Sequence, residues 1–242
     1  MSTEYSRINV SGIPVEIHRK GIKNLHVGVY PPNGKVRVAA PPHLDDEAVR
    51  LAIVSRLSWI QRQRQSFARQ ERQTAREMVT GESHYYEGRR YRLNVVEQSG
   101  NPRVRLANNS TLELKVPPGT DRDGRIKVLD RWYRRQLKVR IPDLLTCWER
   151  VIGVDVADCR VKRMKTRWGS CSIEARRIWL NLELAKKDPA CLEYILVHEM
   201  VHLIERHHSD RFRSLLDRFL PDWRLRRDEL NKAPLAHEDW DY

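Results

Sequence analysis

Three closely spaced residues could together bind and use a metal ion. His198 and His202 are four residues apart, so on a helix both imidazoles would face the same side and could reach one ion. Glu199 directly follows the first histidine, where a carboxylate can take a proton from a water molecule that the metal activates. The spacing predicts metal-dependent hydrolysis with zinc as the expected ion, although imidazole ligands also suit other first-row metals.

The segment around these residues is predicted to be a buried helix. Residues 192–204 read L-E-Y-I-L-V-H-E-M-V-H-L-I and are apolar on nearly every face. Histidine and glutamate side chains in such a helix cost free energy unless a hydrogen bond or a metal satisfies them. We therefore favour a metal site over the alternative, in which both histidines bond to backbone groups and the glutamate faces water.

A third ligand is expected, because catalytic zinc takes three protein ligands and leaves one position for water. His208 would complete the spacing H-E-x-x-H-x5-H, but the glycine that usually turns the chain midway is here Glu205. Glu205 is itself a candidate, since it lies one turn beyond His202. We favour His208, because Ser209 or Asp210 can cap a new helix, and the preceding break can swing His208 towards the metal. Glu205 would then support a ligand imidazole or an arginine from behind.

Three blocks of the sequence are specific enough to indicate a family. They are H-E-M-V-H-L-I-E-R-H-H-S-D-R-F at 198–212, R-W-G-S-C-S at 167–172 and I-W-L-N-L-E-L at 178–184. The chain resembles the bacterial YgjP-like metallopeptidase family over most of its length, and its motif helix is similar to that of SprT-like and Wss-type metalloproteases. This resemblance implies a peptide or protein substrate, Glu199 as catalytic base, and one zinc ion on His198, His202 and His208.

Further residues are candidates for a peptidase cleft. A donor must stabilise the oxyanion that forms during peptide hydrolysis, and Arg167, Arg211 and Tyr194 could supply it. The alternatives are an ion pair that only stabilises the fold for Arg211, and packing on its own helix for Tyr194.

The block at 167–172 is predicted to form an edge strand or loop beside the cleft. Backbone groups of Trp168, Gly169 and Ser170 could then pair with an extended substrate, and Gly169 would permit its close approach. The alternative is that Trp168 packs in the core and Gly169 forms a bulge. Cys171 is expected to be a buried, inert thiol.

Composition restricts the class of protein. The chain has 242 residues, of which 40% are hydrophobic, and it contains no apolar run of about 18 residues, so no membrane span is expected. Its first residues lack the basic and then apolar layout of a signal peptide. The four cysteines form no C-x-x-C pair and no evident disulfide framework. We therefore expect a cytoplasmic protein, whose oligomeric state the sequence does not indicate.

The charge balance suggests a second function. The formal net charge of +13 attracts polyanions, and basic residues concentrate at 56–76, 122–140 and 160–167. The alternative hypothesis is a nucleic-acid-associated protein whose metal domain acts on DNA-bound proteins or only stabilises the fold. No finger, helix-turn-helix or RNP pattern supports it, and arginines on long helices can simply be solvated.

Hydrophobic periodicity predicts an α+β fold. Strands are expected at 14–19, 24–30, 35–40, 85–86, 90–97, 103–106, 111–116, 161–165 and 178–182, with a turn at 31–34. One long helix is expected after Asp45 or Asp46, a second near Asp121 or Asp123 and a third from Pro189. Two shorter helices are expected, one after Ser209 or Asp210 and one from Trp223.

These elements suggest a domain organisation. We expect a β-rich strand-strand-helix region at 1–78, a zincin-like core with a mixed or antiparallel sheet and an active-site helix at 79–232, and a loose acidic tail at 233–242. Both halves carry strands, a Pro-Pro stop, an acidic cap and a helix with a tryptophan, Trp59 or Trp132. An internal repeat and coincidence both explain this weak similarity.

Overall fold

The computed structural model describes residues 4–30, 34–69, 76–164 and 167–232. These residues form three mixed sheets and six α-helices, which confirms the predicted α+β class. They fall into two compact units, 4–69 and 76–232. The domain limits expected at residues 78 and 232 stay predictions, while most of the expected turn at 31–34 and the whole tail at 233–242 lie outside the described residues.

The first unit is a four-stranded sheet with two helices on one face. Its elements are β1 (Glu4–Val10), β2 (Ile13–Arg19), β3 (His26–Tyr30), β4 (Lys35–Ala40), α1 (Asp46–Val54) and α2 (Leu57–Arg69). The strand order is β1-β2-β4-β3, with β2 and β4 parallel and the other pairs antiparallel. Alternating residues of β2 and β4 point into one core that also contains Val49 and Ile53 of α1.

One expectation for the first unit is wrong, and one of its strands was missed. The expected single long helix is divided into α1 and α2. Between them, Arg56 N–H donates to Ile53 O, three residues earlier, which is the hydrogen bond of a tighter 3₁₀ turn. The Ser55 hydroxyl and the Arg56 guanidinium both donate to Ala52 O, which stabilises the break. Strand β1 was not expected; it pairs with β2 over its whole length, with Val10 alone fully buried.

The first half of the second unit repeats the topology of the first unit. It contains β5 (Ser83–Tyr86), β6 (Arg89–Glu97), β7 (Arg103–Leu106), β8 (Thr111–Val116) and α3 (Arg122–Ile152). The strand order β5-β6-β8-β7 and the sense of each pairing match those of the first sheet. As expected, Asp121 caps the helix, accepting a 2.8 Å hydrogen bond from Gly124 N. The shared topology favours an internal repeat over coincidence.

The second half of this unit carries the histidine motif. It comprises β9 (Asp158–Lys162), β10 (Gly169–Ser172), β11 (Arg177–Asn181), a 3₁₀ helix (Leu182–Lys186), α4 (Pro189–Val201), α5 (Asp210–Phe219) and α6 (Trp223–Lys232). In the sheet order β10-β11-β9, β11 lies parallel to β9 and antiparallel to β10, which forms an edge. The block at 167–172 thus ends in an edge strand, as the sequence indicates.

Helix α4 is the centre of this half. It begins at Pro189, as expected, and Asp188 caps it with a 2.8 Å hydrogen bond from Ala190 N. Its apolar residues are 6% exposed or less and pack against the surrounding strands and helices: Leu192, Ile195, Leu196, Val197, Met200 and Val201. In the described part of the chain, no helix is long and apolar enough to span a membrane.

Candidate active site

Two helices bring three histidines together. His198 lies in the last turn of α4 and His202 caps its C-terminus, so their imidazoles occupy one face, with ring centroids 5.0 Å apart. The chain then turns, and Ser209 starts α5 by accepting a hydrogen bond from Phe212 N at 3.2 Å. This turn returns His208 to α4, as the expected helix break requires.

The three imidazoles converge on one point. One ring nitrogen from each of His198, His202 and His208 lies within 4.8 Å of the others. The Nε2 atoms of His198 and His208 are 3.0 Å apart, close to the roughly 3.3 Å expected for two nitrogens on one tetrahedral zinc ion. Two such nitrogens repel unless a proton or a cation lies between them, so the donor set fits a metal ion such as zinc.

The Nδ1 atoms of His202 and His198, which do not face the other histidines, differ in their surroundings. His202 Nδ1 lies 3.1 Å from Glu205 O, and this bond orients the ring with Nε2 towards the other histidines. The Glu205 carboxylate instead accepts a hydrogen bond from His207 N at 3.2 Å. Glu205 therefore supports His202 through its backbone carbonyl, not through the side chain that the sequence suggested. His198 Nδ1 is buried and has no partner among the described residues.

Phe212 forms an apolar floor under the histidine cluster. Its ring centroid lies 4.9 Å from that of His198, 4.6 Å from that of His202 and 4.8 Å from that of His208. The side chain is 2% exposed. Because one ring contacts all three imidazoles, Phe212 restricts their rotation and excludes water from that side.

Burial keeps the α4 histidines neutral. Burial and, to a smaller extent, the neighbouring His202 and His208 together lower the pKa of His198 to about 3. Burial also lowers the pKa of His202, against the opposing effect of the Glu205 carbonyl. A neutral imidazole is the form that ligates a metal, so both side chains are ready to bind at neutral pH.

Glu199 lies beside the cluster, against strand β10. It is 6% exposed, and burial raises the pKa of its carboxyl to about 8, against the opposing charge of Arg167. A Cβ atom on Gly169 would meet Glu199 Oε1 at 2.5 Å, Cγ at 2.7 Å and Cδ at 2.9 Å. Gly169 therefore leaves the space that the carboxylate occupies.

Asn181 holds the chain segment that precedes β10. Its Nδ2 donates to Met164 O and Arg167 O, both at 2.8 Å, and its backbone N–H donates to Trp168 O at 2.9 Å. The side chain is 4% exposed and also accepts a hydrogen bond from Glu183 N at 3.2 Å. One buried amide thus fixes both ends of this segment, of which residues 165 and 166 lie outside the described residues.

An open cleft of about 1130 Å³ surrounds the histidine cluster. Of the residues expected from the sequence, it is lined by Arg167, Trp168, Gly169, Ser170, Tyr194, His198, Glu199, His202 and His208. Glu205 and Arg211 are not among the lining residues. Arg211 is exposed on α5, so we leave it out of the oxyanion candidates.

Trp168 and Cys171 were expected to be a core or cleft residue and an inert thiol, respectively. Trp168 is half-buried and both packs against the core and lines the cleft, so its two interpretations are compatible. Burial raises the pKa of the Cys171 thiol to about 11, with a further contribution from Glu199, which agrees with an inert thiol. In the described part of the chain, the metal-binding group contains histidines alone.

The sequence analysis missed four residues of the site. Asn181 ends an apolar strand, Phe212 reads as an ordinary core position, and Arg206 and Arg227 are two arginines among many. Asn181 and Phe212 act through contacts between distant segments, and the fold brings Arg206 and Arg227 to the lining of the cleft. Only Asn181 had a local signal, as an amide at the start of the 3₁₀ helix.

Comparison with known proteins identifies the family of this chain. A family model described as the YgjP-like metallopeptidase domain matches residues 24–233, while no curated protein matches the chain in sequence. The crystal structure of the metallopeptidase zymogen of Pyrococcus abyssi abylysin is similar to 37% of this chain and 90% of that one, at 22% identity and a TM-score of 0.35. Because the family model spans most of the sequence, the chain belongs to the YgjP-like metallopeptidase family.

Proposed function

We propose that this protein is a zinc-dependent peptidase in which His198, His202 and His208 hold the metal and Glu199 is the general base. One observation carries the proposal: three imidazole nitrogens lie within 4.8 Å of one another, and the buried carboxylate of Glu199, next to His198 on α4, lines the same cleft. Three histidines and an open cleft suit a catalytic rather than a closed structural zinc site.

The proposed mechanism assigns proton transfer to Glu199. When bound, the metal supplies Lewis-acid chemistry that acidifies water and polarises the scissile carbonyl. Glu199 accepts the proton of the attacking water and passes it to the leaving amine. Its carboxyl has a raised pKa of about 8 without an ion; a cation on the adjacent histidines would lower this value and favour the ionised form of a base.

Strand β10 is proposed to align the substrate. One edge of β10 pairs with β11, and no strand of the described ranges pairs with the other edge. Gly169 and Ser170 line the cleft, so an extended peptide could add there as a further strand. Arg167 and Tyr194 also line it and remain the candidates for stabilising the oxyanion.

Replacing Glu199 with Gln tests this function. We expect Glu199→Gln to keep its zinc and to lose peptide hydrolysis by at least about a hundredfold, because the amide cannot accept the proton. Glu229→Gln, the same change at an exposed position of α6 outside the cleft, should cleave like the wild type. If Glu199→Gln cleaves as fast as the wild type, Glu199 is not the base.

Two further parts of the account are proposals. A cytoplasmic location is supported by four free cysteines, Cys147, Cys159, Cys171 and Cys191. The nucleic-acid hypothesis still rests on net charge alone.

A further inference from the structure

We infer that the cleft selects peptides with acidic side chains near the scissile bond, because three arginines from different segments line it around the histidines. This inference rests on the proposed peptidase function. The arginines are Arg167 before β10, Arg206 in the turn between His202 and His208, and Arg227 on α6.

Carboxylates that could neutralise these arginines are scarce in the cleft. Its lining contains Glu174 and Glu199 alone among acidic residues of the described chain. Glu199 is buried against Gly169, whereas Glu174 is exposed. Because Arg227 is paired with Asp228, the guanidinium groups of Arg167 and Arg206 face a single exposed carboxylate in the lining, and a bound metal ion would add further positive charge.

The arginines are available to a ligand to different degrees. Arg167 and Arg206 are exposed, and neither side chain makes an ion pair or hydrogen bond with another described residue. Arg227 is half-buried, bonds to the adjacent Asp228 at 3.0 Å and lies 5.2 Å from the ring centroid of Trp223. Two guanidiniums can thus adapt to a substrate, while the third is held in place by its contacts.

A carboxylate is the substrate group that fits this arrangement. Guanidinium groups bind carboxylates through paired, charge-assisted hydrogen bonds, which are stronger than neutral ones. A lysine or arginine in the same substrate position would be repelled by the three arginines. The backbone at Arg167 is held by the Asn181 amide, so its side chain extends into the cleft from a defined point on the wall.

Three peptides that differ only in the residues flanking the scissile bond test the selectivity. With Glu, Gln or Lys at these positions, we expect kcat/KM for the Glu peptide to exceed that for the Gln peptide by about tenfold, and the Lys peptide to be poorer again. Added salt should reduce the advantage of the Glu peptide.

Substitution of the arginines tests whether they cause the preference for acidic peptides. The double variant Arg206→Gln and Arg227→Gln should bring the Glu-to-Gln ratio close to one, because the Glu peptide loses more of its kcat/KM than the Gln peptide does. Arg213→Gln, a change on the exposed part of α5 outside the cleft, should keep the wild-type ratio. Equal loss on all three peptides would indicate a structural effect and contradict the inference.

Binding separates this inference from the proposed function. Fluorescence anisotropy with the Glu199→Gln variant should show tighter binding of the labelled Glu peptide than of the Lys peptide. If the wild type cleaves all three peptides equally, the inference is wrong and the peptidase proposal stands. If no peptide is cleaved but the acidic one binds better through Arg206 and Arg227, the inference stands and the peptidase proposal fails. If a single-stranded oligonucleotide displaces the Glu peptide better than unlabelled Glu peptide does, the cleft binds nucleic acid and the inference is wrong.

Discussion

At the scale of single residues, the site depends on how closely strand β10 approaches Glu199. The spacing of His198, Glu199 and His202 could be recognised in the sequence, because four residues make about one helical turn wherever a helix forms. The contributions of Asn181 and Phe212 could not, because each joins segments that only the tertiary fold brings together. Gly169 was singled out for approach to a substrate, whereas its closest neighbour in the structure is Glu199.

The change Gly169→Ala should displace the proposed base. The added methyl would lie 2.5 Å from Glu199 Oε1, so the carboxylate must move. We expect kcat to fall by roughly ten- to a hundredfold with zinc content unchanged, since a small misplacement of a catalytic group is costly. Steady-state kinetics with metal analysis would measure both.

A matched control for this change is Gly21→Ala. A methyl at Gly21 meets no atom within 4 Å, and neither glycine has a positive φ. The control should therefore cleave like the wild type. Full activity in Gly169→Ala would show that the contact with Glu199 does not matter.

At the scale of elements, the end of α4 and the start of α5 place the third histidine. The sequence predicted the start of α4, the cap at Ser209 and most strands, because caps, proline and alternation are local signals. It missed strand β1, whose apolar positions are few, and the break at Ser55 and Arg56, where side chains compete for one backbone carbonyl. The return of His208 to α4 was a prediction from this cap, and the structure agrees with it.

The change Ser209→Ala should weaken both α5 and the metal site. It removes the acceptor for Phe212 N, at a cost of about 1 kcal/mol of helix stability. Because His208 directly precedes this cap and Phe212 contacts all three imidazoles, we expect zinc affinity to fall several-fold. Competition with a chromogenic chelator would measure this affinity.

The equivalent cap of α1 serves as the control. Asp45 accepts a 2.8 Å hydrogen bond from Ala48 N in the first unit. Asp45→Ala should cost a similar free energy of unfolding and leave zinc affinity unchanged. If both variants bind zinc as the wild type does, the cap at Ser209 does not position His208.

At the scale of the whole molecule, the two units share one sheet topology but differ in the functional groups that they carry. Both four-stranded sheets share one strand order, but only the second unit continues into the half that carries the histidines. In the first unit, the sheet face opposite the helices centres on the carboxylate of Glu16. It accepts a 2.7 Å hydrogen bond from the Tyr5 hydroxyl and forms ion pairs at 2.7–3.1 Å with Arg7, Lys35 and Arg37.

Glu16 makes the stability of the first unit depend on pH. Burial raises its pKa, but hydrogen bonds from Lys35, Tyr5 and Arg37 outweigh burial and lower the pKa from 4.5 to about 2. A carboxyl with a depressed pKa stabilises the fold above about pH 4.5 and loses that contribution as the pH falls towards 2. Glu16→Gln should therefore cost roughly 2 kcal/mol at pH 7 and less at low pH.

Hydrogen exchange of the β2 amides would follow this effect. Glu47→Gln, an exposed change on α1, should alter protection by less than about 0.5 kcal/mol at any pH. A cost for Glu16→Gln that stays the same between pH 7 and pH 3 would contradict the account of this carboxylate.

The most direct test of the account is the metal content of the protein, measured by mass spectrometry after purification without a histidine tag. The wild type should contain about one zinc ion per chain, and His208→Ala should lose most of it, because catalytic zinc needs three protein ligands. His207→Ala, at an exposed neighbour outside the cluster, should keep its zinc. A wild type without metal would contradict the proposed site, and zinc fully retained in His208→Ala would move the third ligand to Glu205.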